Sequence, residues 1–467
     1  MKKIIFGYSL GPVGASLLGL LLVPLLSWIY YPAYVGRYAM IQVLLNLTVL
    51  IFSFGLDQSY IREYQQSEQR LDLFYLCYMP SVIALVLVIL FFSIEGGGYQ
   101  NLFDMPKSKF TPLFYLTMFL FLSIKFFSIS VRMKQRAFIY SLVQIIPKLV
   151  LVISIFCVYA FFFASFESLI IIIFLSYLIT VIFLLLVNKQ EFFGLFRFYF
   201  DAKYFRKLFK FGFPLILGGI AYWGVIASDR FFIKHFNGLD EVAIYSVAAS
   251  IAGVSAVFTG VFNTIWAPMV FQWEAEGRLT IEKVEKVLQG ALGVVLLVIS
   301  ISGLFSWLLK YFLPDSYSDV VFLVPVLMVS PLLYTVAEVS SIGINLTRKT
   351  QYSLYATLVS LAVCLLLNYL FVPDFGALGA AVATMITFNI YLLTRTYFSD
   401  CIWKKLPKEK FYFPLLVLNG CVLSASVVDE FSYIIVLYGL LFLFALFYYK
   451  SMLLDFINLK NEERGKL

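Results

Sequence analysis

Seven ionisable residues stand where an apolar chain has little ordinary use for them. Lys125, Lys148, Asp229, Arg230, Glu338 and Arg395 lie within or at the ends of long apolar runs, and Asp57 follows the second run directly. Facing hydrocarbon, each such group would cost several kcal/mol, so each is expected to face a protein partner, water or polar cargo. The cations Lys125, Lys148, Arg230 and Arg395 are candidate ligands for an anionic substrate through charge-assisted hydrogen bonds. Asp57, Asp229 and Glu338 are candidates for ion coupling or charge pairing. A plainer alternative stands beside this one, in which Lys125 pairs with a carboxylate such as Glu338 for structure alone. Arg395, near a helix end, could also snorkel to the interface.

Catalysis asks for other residues, a nucleophile with its base or a cluster of metal ligands. His235 is the single histidine, set in an apolar-aromatic run near the end of a span, and reads as a structural interfacial residue. Cys77, Cys157, Cys364, Cys401 and Cys421 are scattered and never spaced C-x-x-C, which points to small apolar residues rather than a disulfide or zinc site. No Gly-rich phosphate loop with a following lysine occurs, so ATP hydrolysis is not expected. The longest outer connection, about Glu95–Phe110, is short for a membrane polymerase or ligase acting on lipid-linked sugars. The chain is therefore read as no enzyme, with no cofactor, no metal and no catalytic residue.

The elements that position these charges are membrane spans. Hydrophobic residues make up 62% of the chain and charged ones 13%, far from the roughly one-quarter charged composition of soluble domains. Apolar runs bounded by charges give an all-α, polytopic integral membrane protein of about 14 spans. The first run follows Met1-Lys2-Lys3 and continues to about Tyr30, too long for a signal core and without an Ala-x-Ala site, so it is read as a retained span. The net charge of +8 comes from basic residues concentrated in alternate connections. That bias places both termini in the cytoplasm by the positive-inside rule and leaves no nucleic-acid role. Pro24, Pro80, Pro147, Pro268, Pro325 and Pro331 lie in or near spans and can bend them.

An internal repeat organises the spans. Phe6-Gly7-Tyr8 matches Phe211-Gly212-Phe213 at an offset of 205, and Val35 and Tyr38 match Val242 and Tyr245 at an offset of 207. Two similar halves rocking about a shared site are a device of alternating-access transporters. The expected division is a six-helix lobe over residues 1–187, a basic linker over 188–210, and a second, pseudo-symmetric six-helix lobe over 211–399. Two further helices follow over 400–449, then a cytoplasmic tail over 450–467. The linker reads equally as an amphipathic helix on the cytoplasmic face or as an ordinary basic loop. Gly376, Gly379, Ala380 and Ala383 form one smooth face suited to helix packing.

Three stretches carry a family resemblance. They are Ser228-Asp229-Arg230-Phe231-Phe232 with Gly238-Leu239-Asp240-Glu241-Val242-Ala243-Ile244-Tyr245, then Gly55-Leu56-Asp57 with Tyr60-Ile61-Arg62-Glu63-Tyr64, and Asn368-Tyr369-Leu370-Phe371-Val372-Pro373 with Gly376-Ala377-Leu378-Gly379-Ala380-Ala381 and Ala383-Thr384. With them the chain resembles, to about Ser399, the polysaccharide-biosynthesis flippases of the multidrug/oligosaccharidyl-lipid/polysaccharide exporter superfamily. The resemblance implies a flippase that moves a polyprenyl-diphosphate-linked oligosaccharide, of the O-antigen repeat-unit kind used in lipopolysaccharide biosynthesis, between leaflets of a bacterial inner membrane. Membrane lipid, a polysaccharide polymerase and a chain-length regulator are the partners this implies. In peptidoglycan-precursor flippases an extra helix pair lines a groove for the lipid tail; the alternative for the last pair here is peripheral packing. Two rival functions remain: a cation-coupled multidrug-type exporter, whose cavity should favour acidic residues, and a membrane enzyme of polysaccharide assembly.

Overall fold

The computed structural model describes residues 2–67, 70–94, 111–161, 164–189, 200–407, 409–428 and 430–450. The connection Glu95–Phe110, residues 190–199 of the linker and the tail from 451 onward lie outside the described residues. Among those described every regular element is a helix, and eleven helices are long and apolar enough to cross a membrane, with two shorter apolar ones near the end. The chain is a multi-pass membrane protein. It divides into two compact units, 1–227 and 228–467.

The first unit contains α1 (Lys2–Ile29), α2 (Pro32–Phe52), α3 (Leu56–Glu63), α4 (Arg70–Ile94), α5 (Thr111–Met133), α6 (Ala137–Phe161), α7 (Phe166–Val187) and α8 (Ala202–Asn237) as far as Ala227. Their ends follow local chemistry. Pro32 opens α2, where its missing N–H is no loss. Ser165 and Ser168 cap α7 reciprocally, each hydroxyl accepting from the other's backbone N–H. Asp201 Oδ1 accepts from the N–H groups of Lys203 and Tyr204 at 2.9 and 3.0 Å, so α8 begins well before the apolar run at Phe211. Residues 202–210, expected as the end of the linker, are thereby its first turns. Within this unit α1 lies along α6, while α2, α4 and α7 pack on α5.

Two sequence motifs meet in this unit. Gly55 follows α2 with φ +66°, a left-handed conformation that a side chain disfavours. Its backbone abuts Gly212 of α8 so closely that a Cβ on either glycine would collide with the other's carbonyl group. Around that contact Ser59 Oγ donates to the Leu208 carbonyl at 2.8 Å, Lys207 pairs with Glu63 at 2.8 Å, and the Arg62 guanidinium lies 4.1 Å from the centre of the Phe211 ring. The glycines of Gly55-Leu56-Asp57 and Phe211-Gly212-Phe213 thus seat α3 against the start of α8.

The second unit holds the rest of α8 with α9 (Leu239–Ala252), α10 (Val254–Ala275), α11 (Ile281–Phe305), α12 (Val320–Ser340), α13 (Ile342–Leu346), α14 (Gln351–Ile402), α15 (Glu409–Val427) and α16 (Phe431–Tyr448). In α12, 78% of the span is buried, against 18% in α10, so α12 is the centre on which α9, α10, α11 and α14 pack. The last helix packs tightly: the ring of Tyr438, midway along α16, and that of Tyr449, just past its end, sit over Gly303 and Gly293 of α11. Between α14 and α15 an apolar cleft of about 380 Å³ lies beside a reciprocal amide pair, Asn389 and Asn419, at 2.8 and 2.9 Å.

Helix α14 is two helices joined at a break. Gly376 has φ +52° and ψ −130°, so its task is to reverse the chain rather than only to smooth a packing face. The arm that starts there is capped from outside, since Glu241 of α9 accepts from the N–H of Ala377 at 3.1 Å. A carboxylate at a helix start satisfies an orphan donor and complements the helix dipole. Replacing it, Glu241→Ala, should lower stability by about 1 kcal/mol, a typical cap. Thermal unfolding of the purified protein would measure this, with Glu241→Gln closer to wild type because it keeps an acceptor.

Candidate transport site

In the second unit the sequence-predicted Asp229 is 1% exposed and surrounded by donors. Its carboxylate accepts from the Tyr245 hydroxyl of α9 in a short contact, from Asn368 Nδ2 at 2.9 Å and from Thr384 Oγ1 at 2.6 Å. Asn368 and Thr384 lie on opposite arms of α14. On a straight helix, sixteen residues apart, they would stand about 24 Å from each other, so the Gly376 break is what lets both reach one carboxylate. The neighbouring Arg230 donates from Nε to Ser246 Oγ at 3.3 Å, and its guanidinium lies 5.4 Å from the Tyr245 ring centre.

Glu338 of α12 and Arg395 of α14 form a second pair. Their side chains are 18% and 4% exposed, and Nη1 of Arg395 donates to Glu338 Oε1 in a short contact. The same nitrogen donates to the Tyr391 hydroxyl at 3.0 Å. Arg395 is therefore buried and paired, and it does not snorkel.

The first unit carries the other three candidates. Asp57, in the first turn of α3, accepts from Gln58 Nε2 at 3.0 Å and faces Lys125 Nζ at 3.6 Å. Lys125 remains 40% exposed. Lys148 of α6 is different, because its ammonium donates to a backbone carbonyl, that of Ala15 on α1, at 2.7 Å. Room for it comes from Gly19, where a Cβ would approach Nζ to 2.9 Å.

The candidates thus fall into Asp57 with Lys125, Asp229 beside Arg230, and Glu338 with Arg395, while Lys148 stands against α1. Lys125 does meet a carboxylate, as the plainer alternative had it, but that carboxylate is Asp57; Glu338, the example offered, is taken by Arg395. Sequence reasoning also passed over Tyr245, Asn368 and Thr384 as ligands of Asp229, and Tyr391 as a support of Arg395. One signal was available, since an asparagine within an apolar run is costly without a partner.

Comparison with known proteins agrees with this architecture. Residues 2–274 match the family model described as polysaccharide biosynthesis protein. No curated protein matches the chain. Among solved structures, a lipid II flippase MurJ in an inward closed conformation aligns with a TM-score of 0.69 at 15% identity, covering 96% of this chain and 99% of that one. An inward-facing multidrug resistance MATE family transporter of the MOP superfamily aligns with a TM-score of 0.60 at 14% identity, covering 83% and 95%. An outward-facing one gives 0.57 at 16%, covering 86% and 95%. At these identities the likeness is one of fold, and fold alone does not assign a function. The family match, which spans more than half of the 467 residues, carries the assignment: the chain belongs to the polysaccharide biosynthesis protein family.

Proposed function

We propose that this protein flips a polyprenyl-diphosphate-linked oligosaccharide from the cytoplasmic to the outer leaflet by alternating access. The observation that carries this reading is the state of Lys148. Lys125 and Arg395 are each met by a carboxylate, whereas the Lys148 ammonium rests on a neutral carbonyl. A cation compensated, among the described residues, by a peptide dipole alone is suited to an anionic visitor, and a diphosphate offers several charged acceptors at once. Lys125, partly exposed beside Asp57, is the second ligand of this reading, and Arg230 and Arg395 are further candidates. The contacts support charge pairing as the role of Asp57 and Glu338, and hydrogen-bonded anchoring as that of Asp229.

The physical need for such a protein is clear. A glycan head group and its diphosphate would lose several kcal/mol for each polar group left unsatisfied in hydrocarbon. The prenyl chain needs no such shelter and can stay in lipid, and the apolar cleft between α14 and α15 is a place where it could lie. The similarity in fold to the lipid II flippase MurJ supports the substrate class by analogy. Depleting the protein should make lipid-linked repeat units accumulate on the cytoplasmic leaflet. Normal arrival of those units at the outer leaflet in depleted cells would refute the proposal.

This reading places the protein in a bacterial cytoplasmic membrane with both termini inside, beside a polymerase and a chain-length regulator. Reporters fused after Pro32, Gly238 and Asp374 should be external, and those after Ser67, Lys203 and Lys349 cytoplasmic. An inverted reporter at any of the basic positions would contradict the orientation that the positive-inside rule demands.

A further inference from the structure

The contacts of Glu338 hold more than an ion pair needs. Arg395 occupies Oε1 only, and among the described residues the other oxygen of Glu338 takes no hydrogen bond. The carboxylate is also the more accessible partner, at 18% exposure against 4% for the guanidinium behind it. Its position is fixed from two sides. Tyr391 holds Arg395, and the indole N–H of Trp266 on α10 donates to the Glu338 backbone carbonyl at 3.4 Å.

One helical turn before Glu338, on the same face of α12, lies Tyr334. It is half-buried, and its ring stacks nearly parallel on Tyr391 with centroids 5.9 Å apart and planes 11° apart. An aromatic ring held flat by a second ring thus stands next to an oriented carboxylate oxygen. Such a pair suits a ligand with an apolar face and a hydroxylated edge, since the ring can cover C–H groups and the carboxylate can accept from hydroxyls. Charge narrows the choice further. Arg395 already neutralises Glu338, so the pair has no net charge with which to hold a cation, and hydroxyl donors are the partners that remain well matched.

The geometry points to a sugar subsite on α12, in which Tyr334 stacks on a pyranose ring and Glu338 accepts hydrogen bonds from its hydroxyls, with Arg395 and Tyr391 as positioning residues. This subsite rests on the flippase reading and adds to it a contact with the glycan rather than with the diphosphate.

The test uses the full chain in lipid nanodiscs and two probes, a polyprenyl diphosphate ending at the diphosphate and the same lipid carrying one hexose. The wild type should bind the hexosylated lipid about tenfold more tightly, the worth of one hydrogen bond to a charged group. Tyr334→Leu and Glu338→Gln should each bring the ratio of the two Kd values toward one, and Tyr334→Leu, which touches no charged group of the site, should do so without changing the Kd of the bare lipid. Tyr334→Leu leaves the ion pair in place, so it remains informative if Glu338→Gln fails to fold. Lys148→Ala should weaken both lipids equally and leave the ratio unchanged. Equal binding of the two lipids by the wild type, or an unchanged ratio in Tyr334→Leu, overturns the subsite. Binding of neither lipid overturns the flippase reading and the subsite with it.

Discussion

Lys148→Ala should reduce transfer of a lipid-linked oligosaccharide across reconstituted vesicles by about 10- to 100-fold, the range expected when a hydrogen bond to a charged group is lost. The side chain begins twelve residues from Arg136, roughly 18 Å along α6, too deep for its ammonium to escape easily to an interface. Protein abundance should stay normal, because the bond lost in the resting structure goes to one backbone carbonyl whose own helix can satisfy it. Lys148→Arg should keep part of the activity, since it retains the charge but changes the donor geometry. Gly19 supplies an internal control. A side chain there intrudes on the ammonium, so Gly19→Leu should lower transfer although residue 148 is unchanged. Wild-type transfer by stably expressed Lys148→Ala would remove this lysine from the site.

Asp229→Ala should produce the largest loss of stability of any single change among the candidate residues. It strands three donors, from Tyr245, Asn368 and Thr384, that now converge on one carboxylate. A buried donor without a partner costs about 1–3 kcal/mol, so a loss on the order of 3–5 kcal/mol is expected even after partial relaxation. The damage should reach beyond α8, because the carboxylate also ties the two arms of α14 together. Asp229→Asn should fall between wild type and alanine, since its amide keeps an acceptor oxygen but turns an NH₂ toward existing donors. Thermal unfolding in detergent gives the order directly. A midpoint for Asp229→Ala within a degree of wild type would show that the three donors find other partners and that the carboxylate anchors little.

Hydropathy and charge along the chain already answer what the bilayer demands. A span must be apolar for about 20 residues and bounded by polar groups, so the runs beginning near Tyr38, Thr111, Phe138 and Ser168 announced α2, α5, α6 and α7. The same logic made Lys125, Lys148, Asp229, Arg230, Glu338 and Arg395 conspicuous, because a charge in hydrocarbon must have a reason. The motif residues gave the family resemblance, and the match over residues 2–274 agrees with it. Local chemistry was less visible where helix formation and hydropathy part company: α8 starts at Ala202 because Asp201 caps it, although the apolar run begins only at Phe211.

Which residues meet is set by packing between distant segments. Thr384 reaches Asp229 across 155 residues and Arg395 reaches Glu338 across 57, and no periodicity encodes such pairings. The backbone at Gly376 likewise looked like part of a packing stripe, because glycine serves close approach and chain reversal equally well and spacing does not separate the two. Lys148 shows the limit most plainly. Its depth and charge were legible from its place in the run, but its partner is the carbonyl of Ala15, a group every residue carries. Which carbonyl is free to accept depends on how α1 lies along α6 and on the space left at Gly19, and those are settled by packing in three dimensions.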